Sequence, residues 1–215
     1  NYVQSSPVAR VFGGHLSQVR VSGDAALNID LMVPITEWRN FTITARIVAN
    51  EGGLQLEGFD PPVTGLNGVV TIERDSVSSE ALGGTFLGRP VQIQLQDAPD
   101  DLPGFQIIAR ARGSVDAQGL TAGLGLPVAG LVDGETDYDV DLLFPRGGNA
   151  QPEPFTVRVN SELVGLKVGL PEPFLKPATE AASISGEIAF IPGGQRIASR
   201  GEADGGVSWD VAFAR

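Results

Sequence analysis

Residues 19–34 read VRVSGDAALNIDLMVP, and their alternation is the strongest indication of structure in this chain. Apolar side chains occupy every second position in the later half of the run: Leu27, Ile29, Leu31 and Val33. Successive side chains of a β-strand point to opposite faces, so this spacing predicts a strand with one apolar face. The run from Val19 to Val33 exceeds the usual ~3–10 residues of a strand, which favours a broad curved sheet. A bend near Gly23 would instead divide it into two shorter strands.

The same alternation recurs along the chain, at residues 41–47, 91–96, 105–112 and 207–213. Segment 51–53 (EGG) is predicted to form a hairpin turn because glycine accepts the positive φ of tight turns. Leu54 and Leu56 would then continue on the return strand. Ser6, followed by proline, is predicted to start a short helix. The sequence therefore predicts an all-β protein with a long, curved, largely antiparallel sheet and at most one or two short helices.

The chain contains an internal repeat. Residues 21–34, VSGDAALNIDLMVP, match residues 132–145, VDGETDYDVDLLFP, 111 residues further along. The second copy places its own apolar row at the corresponding positions: Tyr138, Val140, Leu142 and Phe144. Three shorter matches follow in the same order, between 41–43 and 155–157, 53–56 and 165–168, and 68–72 and 186–190.

Two copies of one strand set would explain these matches, and such repeats form a one-dimensional array with open ends. Two unrelated β-meanders that share a generic pattern are the alternative. On the repeat interpretation, residues 1–18 form a short helical or irregular leading segment, residues 19–125 the first repeat and residues 126–215 the second. The two repeats would together make one continuous structural unit.

The composition argues against several classes of function. A formal net charge of −11 disfavours nucleic acid as a partner, because phosphate binding requires a basic face, and it disfavours electrostatic docking on anionic headgroups. Cysteine is absent from the sequence, which removes disulfides, thiolate catalysis and thiolate metal sites together. No apolar run reaches the roughly 18 residues of a membrane span. Because the chain begins with Asn1 and not with Met, we expect it to be a fragment of a longer protein.

Chemically active side chains are sparse. His15 is the only histidine, and one histidine without cysteine makes neither a typical zinc site nor a catalytic triad. The three aspartates of segment 137–141 alternate along one predicted strand at about 6.6–7 Å, too far apart to converge on a cation, and are predicted to form a solvated outer face. The acidic segment 97–104 has the composition of a turn. We therefore expect no catalytic residue, no metal and no cofactor, and we do not expect an enzyme.

The apolar face is the most informative feature, and it allows two arrangements. In an ordinary β-sandwich two such faces pack into a dry core, whereas a single curved sheet could offer its face to lipid tails. Composition does not separate the two. A closed sandwich would act as a scaffold or adhesion module. A carbohydrate-binding or carbohydrate-processing domain would need convergent aromatic residues and carboxylates, of which two tryptophans and two tyrosines supply few.

Three segments resemble the AsmA-like envelope proteins, in particular their YhdP branch: 6–8 followed by 19–35, then 84–91 (GTFLGRPV), then 159–178 (VNSELVGLKVGLPEPFLKPA). The resemblance covers nearly the whole chain in matching order. It implies a rod of repeated β-sheet units with a hydrophobic groove along its inside. The full-length protein would be anchored in the inner membrane of a Gram-negative bacterium and extend through the periplasm. It would carry phospholipid between inner and outer membranes, with protein partners at either membrane.

The resemblance also implies that the inward apolar rows line this groove and contact acyl chains. The residues of the two aligned rows expected there are Leu27, Ile29, Leu31, Val33, Tyr138, Val140, Leu142 and Phe144. Further candidates on neighbouring strands are Ile43, Leu54, Leu56, Val157, Leu166 and Val168. Phospholipid acyl chains are thus the expected ligand, and transfer would be a physical movement without a reaction.

Overall fold

In the computed structural model the chain is an all-β protein, which confirms the fold class that the alternating pattern predicts. The structure describes residues 19–32, 42–56, 61–73, 76–123, 129–146, 154–172, 175–191, 194–203 and 207–214. Fourteen strands within these residues form one open sheet, and neighbouring strands pair antiparallel. The leading segment 1–18, with the predicted helix start and His15, and Val33 of the first apolar row lie outside the described residues.

The strands range in length from 2 residues in β11 to 15 residues in β2. Their bounds are β1 (Val19–Met32), β2 (Thr42–Leu56), β3 (Val63–Glu73), β4 (Ser76–Ser79), β5 (Leu82–Phe86), β6 (Arg89–Asp97), β7 (Phe105–Asp116), β8 (Val132–Pro145), β9 (Phe155–Ser161), β10 (Leu166–Gly169), β11 (Leu175–Lys176), β12 (Ala182–Ile191), β13 (Gly194–Ala203) and β14 (Val207–Ala214). The strand order is β1-β2-β3-β5-β6-β7-β8-β9-β12-β13-β14, with β4 beside β3 and β10 beside β8 and β11. A short π-helix, Gly119–Gly123, lies between β7 and β8.

The hairpin turn predicted at residues 51–53 is wrong. Strand β2 runs through this segment and pairs with β1 on both sides of it. The register shifts between Ser22 and Asp24, where Gly23 has φ +95° and Glu51 has φ +52°. The positive φ of this segment therefore serves a β-bulge, which adds one residue to a strand without reversing its direction. Gly23 does not divide β1 into two shorter strands, because β1 is continuous from Val19 to Met32.

The same backbone conformation recurs in the second copy of the repeat. Gly134 occupies the position that matches Gly23 and has φ +97°, and Leu163, which matches Glu51, has φ +49°. The copies differ in continuity, because β9 ends at Ser161 and a separate strand begins at Leu166. The division into repeats 19–125 and 126–215 stays a prediction.

The chain forms two compact units. One comprises Asn1–Gly84, Gln92–Ala109 and Leu143–Glu153, and the other comprises Thr85–Val91, Arg110–Leu142 and Pro154–Arg215. Each unit has an apolar core of its own. In the first, a buried cluster packs against partly buried residues of the β6–β7 loop; its members are Phe105, Ile108 and Leu143, with Ala98 and Leu102 beside them. In the second, the rings of Phe155 and Phe190 meet across β9 and β12 with their centroids 5.3 Å apart.

A buried lysine fastens the irregular connection between β9 and β10. Lys176 on β11 donates hydrogen bonds from Nζ to the carbonyl oxygens of Leu163 at 2.6 Å, Leu166 at 2.7 Å and Pro177 at 3.1 Å. An ammonium group has three donors and no acceptor, so three carbonyl oxygens match its capacity. This arrangement holds the positive-φ residue Leu163 in place.

Candidate functional site

An apolar ladder crosses four strands of the first unit. Residues directly opposite each other on paired strands share a face. The register places Ile29 opposite Ala45, then Ile72, then Val77. The exposed fraction falls along this open ladder (Ile29, Ala45, Ile72, Val77) from 57 % to 5 %, 3 % and 1 %. The open ladder therefore begins at an accessible end on β1 and leads into a closed interior.

A second ladder lies beside it. Leu27 of β1 is opposite Ile47 of β2, which is opposite Val70 of β3. Leu27 is 52 % exposed, and the other two are half-buried. Exposed aliphatic surface is unfavourable in water by about 25 cal/mol per Å². Strand β1 thus presents two neighbouring aliphatic side chains, Leu27 and Ile29, that gain free energy when another apolar group covers them.

The other face of the same strands is polar near Asn28 and Asp30. Asn28 lies opposite Arg46, which lies opposite Thr71. Asp30 likewise lies opposite Thr44, which lies opposite Glu73. At these positions the second face carries polar side chains, although Ala26, Val48 and Val69 form an apolar row further along the same face.

The candidate residues of β8 are packed differently from those of β1. Tyr138, Leu142 and Phe144 are buried, with Leu142 only 7 % exposed, and Val140 is half-buried. The aligned rows of the two repeats thus differ: the described members on β1 are open, whereas the row on β8 is closed. An equal sequence pattern does not produce equal exposure here.

The remaining candidates are divided in the same way. Val157 and Leu166 are buried, at 3 % exposure each, whereas Leu54, Leu56 and Val168 are half-buried. The backbones of Leu31 and Ile43 pair with each other in the β1–β2 register, while their side chains lie outside the described part of the structure.

Sequence reasoning missed three members of the open ladder. Ala45 shares the face of the predicted candidate Ile43, because two positions separate them on one strand. Ile72 ends the segment 68–72 that the repeat comparison had already matched. Val77 belongs to the four-residue strand SVSS, whose composition carries no strand signal, so only the pairing with β3 reveals it.

Ion pairs cover the outer face of β8, opposite its apolar row. Arg112 approaches Asp139 with 2.7 Å between Nε and Oδ1, and Arg110 approaches Asp141 with 3.6 Å between the same atoms. Asp137 is exposed on the same face. The three aspartates therefore form the solvated outer face that the sequence predicts. Among the residues that the structure describes, no group of three His, Cys, Asp or Glu side chains could hold a metal ion.

The acidic segment after β6 has a structural contact. The carboxylate of Asp97 accepts hydrogen bonds from the Ser76 hydroxyl at 2.6 Å and from the Val77 backbone N–H at 2.9 Å. Asp97 thereby attaches the short strand β4. The turn expected at 97–104 is present after Asp97, with backbone hydrogen bonds from Leu102 to Pro99 and from Phe105 to Leu102.

Among the buried side-chain nitrogen and oxygen atoms of the described residues, the Tyr138 hydroxyl is the one without a hydrogen-bond partner. Burial raises the pKa of the phenol to about 12. The ring meets Phe86 edge to face, with centroids 6.3 Å apart. It also covers Gly113, where an added Cβ would lie 2.7 Å from the hydroxyl oxygen. The alternation predicts that Tyr138 faces inward, but it gives no sign that the hydroxyl lacks an acceptor.

A charged cluster joins β6, β7 and β8 in the second unit. Arg89 pairs through Nη2 with Asp116 Oδ2 at 2.9 Å and through Nη1 with Glu135 Oε2 at 2.9 Å. The backbone N–H of Gly119 donates to the other Asp116 oxygen at 2.7 Å. This bond, followed by the Arg89 contact, lowers the pKa of Asp116, and the Asp116 bond raises the pKa of Arg89.

Acid is therefore expected to weaken this cluster. The folded-state pKa of Asp116 lies below its ordinary value of 3.8, so its contribution to stability is complete above that value and is lost as the pH falls through the folded-state pKa. Thermal unfolding of the wild type and of Asp116→Asn should differ at neutral pH and converge as the pH drops below about 4. An unfolding-temperature difference that stays constant across this range would contradict the assignment.

The described side chains of the open ladder offer apolar contacts. Its exposed end on β1 is aliphatic, and its polar groups lie on the other face or, like the Tyr138 hydroxyl, among apolar neighbours. In the described ranges, none of the helices has the length and apolar character that crossing a membrane requires.

Comparison with known proteins finds a match at the family level. The model of the family described as YhdP protein matches residues 1–212 of this chain. No curated protein and no solved structure matches it.

Proposed function

The chain belongs to the YhdP protein family, and from this premise we propose that it is a segment of a periplasmic bridge that carries phospholipid between two membranes. Membership in this family indicates an envelope protein of the AsmA-like group. In the proposal, the full-length protein is anchored in the inner membrane of a Gram-negative bacterium, and further protein partners act at the inner and outer membranes.

The observation that carries the proposal is the open ladder. A folded chain rarely leaves large aliphatic side chains exposed in a row unless something covers them, and Ile29 and Leu27 are more than half exposed at 57 % and 52 %. Their cross-strand neighbours Ala45 and Ile47 continue the apolar surface inward. Hydrocarbon is a suitable ligand for this surface, because the four side chains of the open ladder are aliphatic and none of them forms hydrogen bonds.

The proposed mechanism is physical transfer. Each methylene that leaves water contributes about 0.8 kcal/mol, so an acyl chain is held by apolar contact alone. The headgroup stays in water, which suits a chain with a net charge of −11, because anionic headgroups gain nothing from this surface. Where neighbouring strands carry equivalent apolar side chains, a tail moves between similar positions without returning to water. No bond is made or broken, so this function requires no catalytic residue.

A scaffold is the second candidate function, and a specific observation favours it. Tyr138, Leu142 and Phe144 are buried, as in the dry core of an ordinary β-protein. A protein that used its apolar face only for internal packing would bury every such row and would bind no lipid. The exposed Leu27 and Ile29 on β1 are what supports lipid contact over a scaffold.

Site-specific photocrosslinking in the full-length protein separates the two functions. A photoreactive residue at Ile29 is expected to form phospholipid adducts, because this position lies at the open end of the ladder. The same residue at Asp30, its neighbour on the opposite face of the strand, is the matched control and is expected to form none. Adducts would be detected on the purified protein by mass spectrometry.

Two outcomes would decide against the proposal. Absence of adducts at both positions, with the protein folded and expressed, would favour the scaffold. Equal adducts at both positions would mean that lipid contacts the strand without regard to its faces, which would contradict transfer along the apolar face.

A further inference from the structure

The unpaired hydroxyl of Tyr138 is the feature that neither packing nor the proposed transfer explains. The side chain is 9 % exposed, and its oxygen is the buried side-chain polar atom of the described residues that lacks a hydrogen-bond partner. A buried donor without an acceptor loses its bond to water and receives nothing in return. A phenylalanine would provide the same ring without this loss, so the hydroxyl requires its own explanation.

The polar groups nearest along the strand are already engaged or point away. Thr136 lies two residues earlier on the same face, and its hydroxyl is 3.3 Å from the hydroxyl of Ser161. Asp139 is on the opposite face and pairs with Arg112. The ring meets Phe86, and the hydroxyl lies against Gly113, beside which the carbonyl oxygen of Pro90 also lies. The hydroxyl is thus a single hydrogen-bond donor set in an apolar face.

We propose that the Tyr138 hydroxyl binds an ester carbonyl oxygen of a phospholipid whose acyl chains lie on the apolar face, so that it forms a polar stopping point on the transfer path. This inference rests on the proposed function, since it names the part of the lipid that this residue contacts. The ester carbonyls are the acceptors that join directly to the acyl chains, so they enter an apolar face together with them. A phosphate group is a poorer occupant, because the neighbouring cations Arg110 and Arg112 pair with aspartates on the outer face.

Two properties of Tyr138 suit this role. The raised pKa, about 12, keeps the phenol protonated and therefore a donor throughout the physiological range. The second property is the small neighbour: an added Cβ at Gly113 would lie 2.7 Å from the hydroxyl oxygen, so the hydroxyl packs directly against the glycine. In this packed position the hydroxyl is covered, and the proposal requires the ring to turn away from Gly113 before a lipid binds. That movement lets the hydroxyl gain the hydrogen bond that it lacks in the packed state.

The test compares two lipids that differ only in the proposed acceptor. Full-length wild-type protein and Tyr138→Phe would be exposed to equal mixtures of dioleoyl phosphatidylethanolamine and its diether analogue, which has no carbonyl oxygen. The retained lipids would be quantified by mass spectrometry. We expect the wild type to retain the diester about 3- to 10-fold more than the diether, in keeping with one net hydrogen bond. We expect Tyr138→Phe to retain the two equally.

The outcomes separate this inference from the function on which it rests. Equal retention of both lipids by the wild type would overturn the role of Tyr138 and leave lipid binding intact. Retention of neither lipid by the wild type would contradict the proposed function itself. Tyr138→Phe should unfold at the same temperature as the wild type or higher, because the hydroxyl has no partner to lose. A clear fall in that temperature would reveal a structural partner, such as a bound water, and would also overturn the inference.

Discussion

Replacing Ile29 with aspartate is expected to lower phospholipid transfer by the full-length protein about tenfold or more while the protein stays folded. Ile29 is 57 % exposed, so the substitution opens no cavity, and surface substitutions usually change the free energy of unfolding by about 0.5 kcal/mol or less. Acyl chains that pass over a carboxylate must displace its water, which is strongly unfavourable. An added barrier of about 1.4 kcal/mol already slows a step tenfold. Transfer would be measured as the movement of labelled phospholipid between the two membranes in cells that depend on this protein.

Asn28→Asp is the matched control for this experiment. It adds the same charge one residue away on the polar face, where Asn28 lies opposite Arg46. Transfer by this variant is expected to equal that of the wild type. Equal losses in both variants would point to a general effect of charge rather than a blocked path. Full transfer by a folded Ile29→Asp protein would contradict a lipid path over this face.

The corresponding substitution on β8 would be a poor test. Leu142 is 7 % exposed, and a carboxylate buried without a partner destabilises a protein by several kcal/mol. Loss of transfer by Leu142→Asp would then follow from unfolding and would carry no information about lipid. The open and closed rows therefore call for different experiments, although their sequences align position by position.

The strands themselves could be predicted because alternation is a local property. Residues 27–33 and 138–144 each show the two-residue period of a strand with one apolar face, and the structure places residues 27–32 in the long strand β1 and residues 138–144 in the long strand β8. The outer aspartates of β8 followed from the same period. The order of the strands could not be predicted in this way, since it depends on contacts between residues far apart in the chain.

The bulge in β2 shows where local reasoning fails. A glycine pair after a residue with positive φ is compatible with a tight turn and with a bulge, because both require the left-handed region that glycine accepts. Pairing with β1 on both sides of Glu51 selects the bulge. The choice between turn and bulge is therefore determined by pairing with residues 19–32, and the sequence of residues 51–53 alone does not reveal it.

Exposure of the candidate site also depends on non-local contacts. Strand β1 stands at the end of the strand order, with β2 as its described neighbour, whereas β8 lies between β7 and β9 and also pairs with β10. Side chains on a strand with neighbours on both sides are covered from both sides. The apolar rows of β1 and β8 therefore share a sequence pattern but differ in burial. The lack of a hydrogen-bond partner at the Tyr138 hydroxyl likewise depends on three-dimensional packing and not on local sequence.

Gly134→Ala is expected to destabilise this chain by roughly 2–6 kcal/mol, which combines two separate penalties. Gly134 has φ +97°, where a side chain is strained by about 1–3 kcal/mol. An added Cβ would also collide with the carbonyl oxygen of Gly165, and overpacking of this kind costs about 1–3 kcal/mol. The free energy of unfolding would be measured by urea denaturation followed by circular dichroism.

Gly130→Ala separates the two penalties. Gly130 also has a positive φ, +74°, but no atom lies within 4 Å of the position of its missing Cβ. It should therefore lose only the strain, about 1–3 kcal/mol, and the difference between the two variants measures the collision. Equal losses would mean that β8 and Gly165 do not approach closely in solution.

Gly23→Ala extends the argument to the other copy, because Gly23 has φ +95° and its Cβ would lie 2.8 Å from the Gly52 Cα. Gly23→Ala should therefore also exceed the loss of Gly130→Ala, whereas a tolerant Gly23 would mean that β1 and β2 do not approach this closely at the bulge.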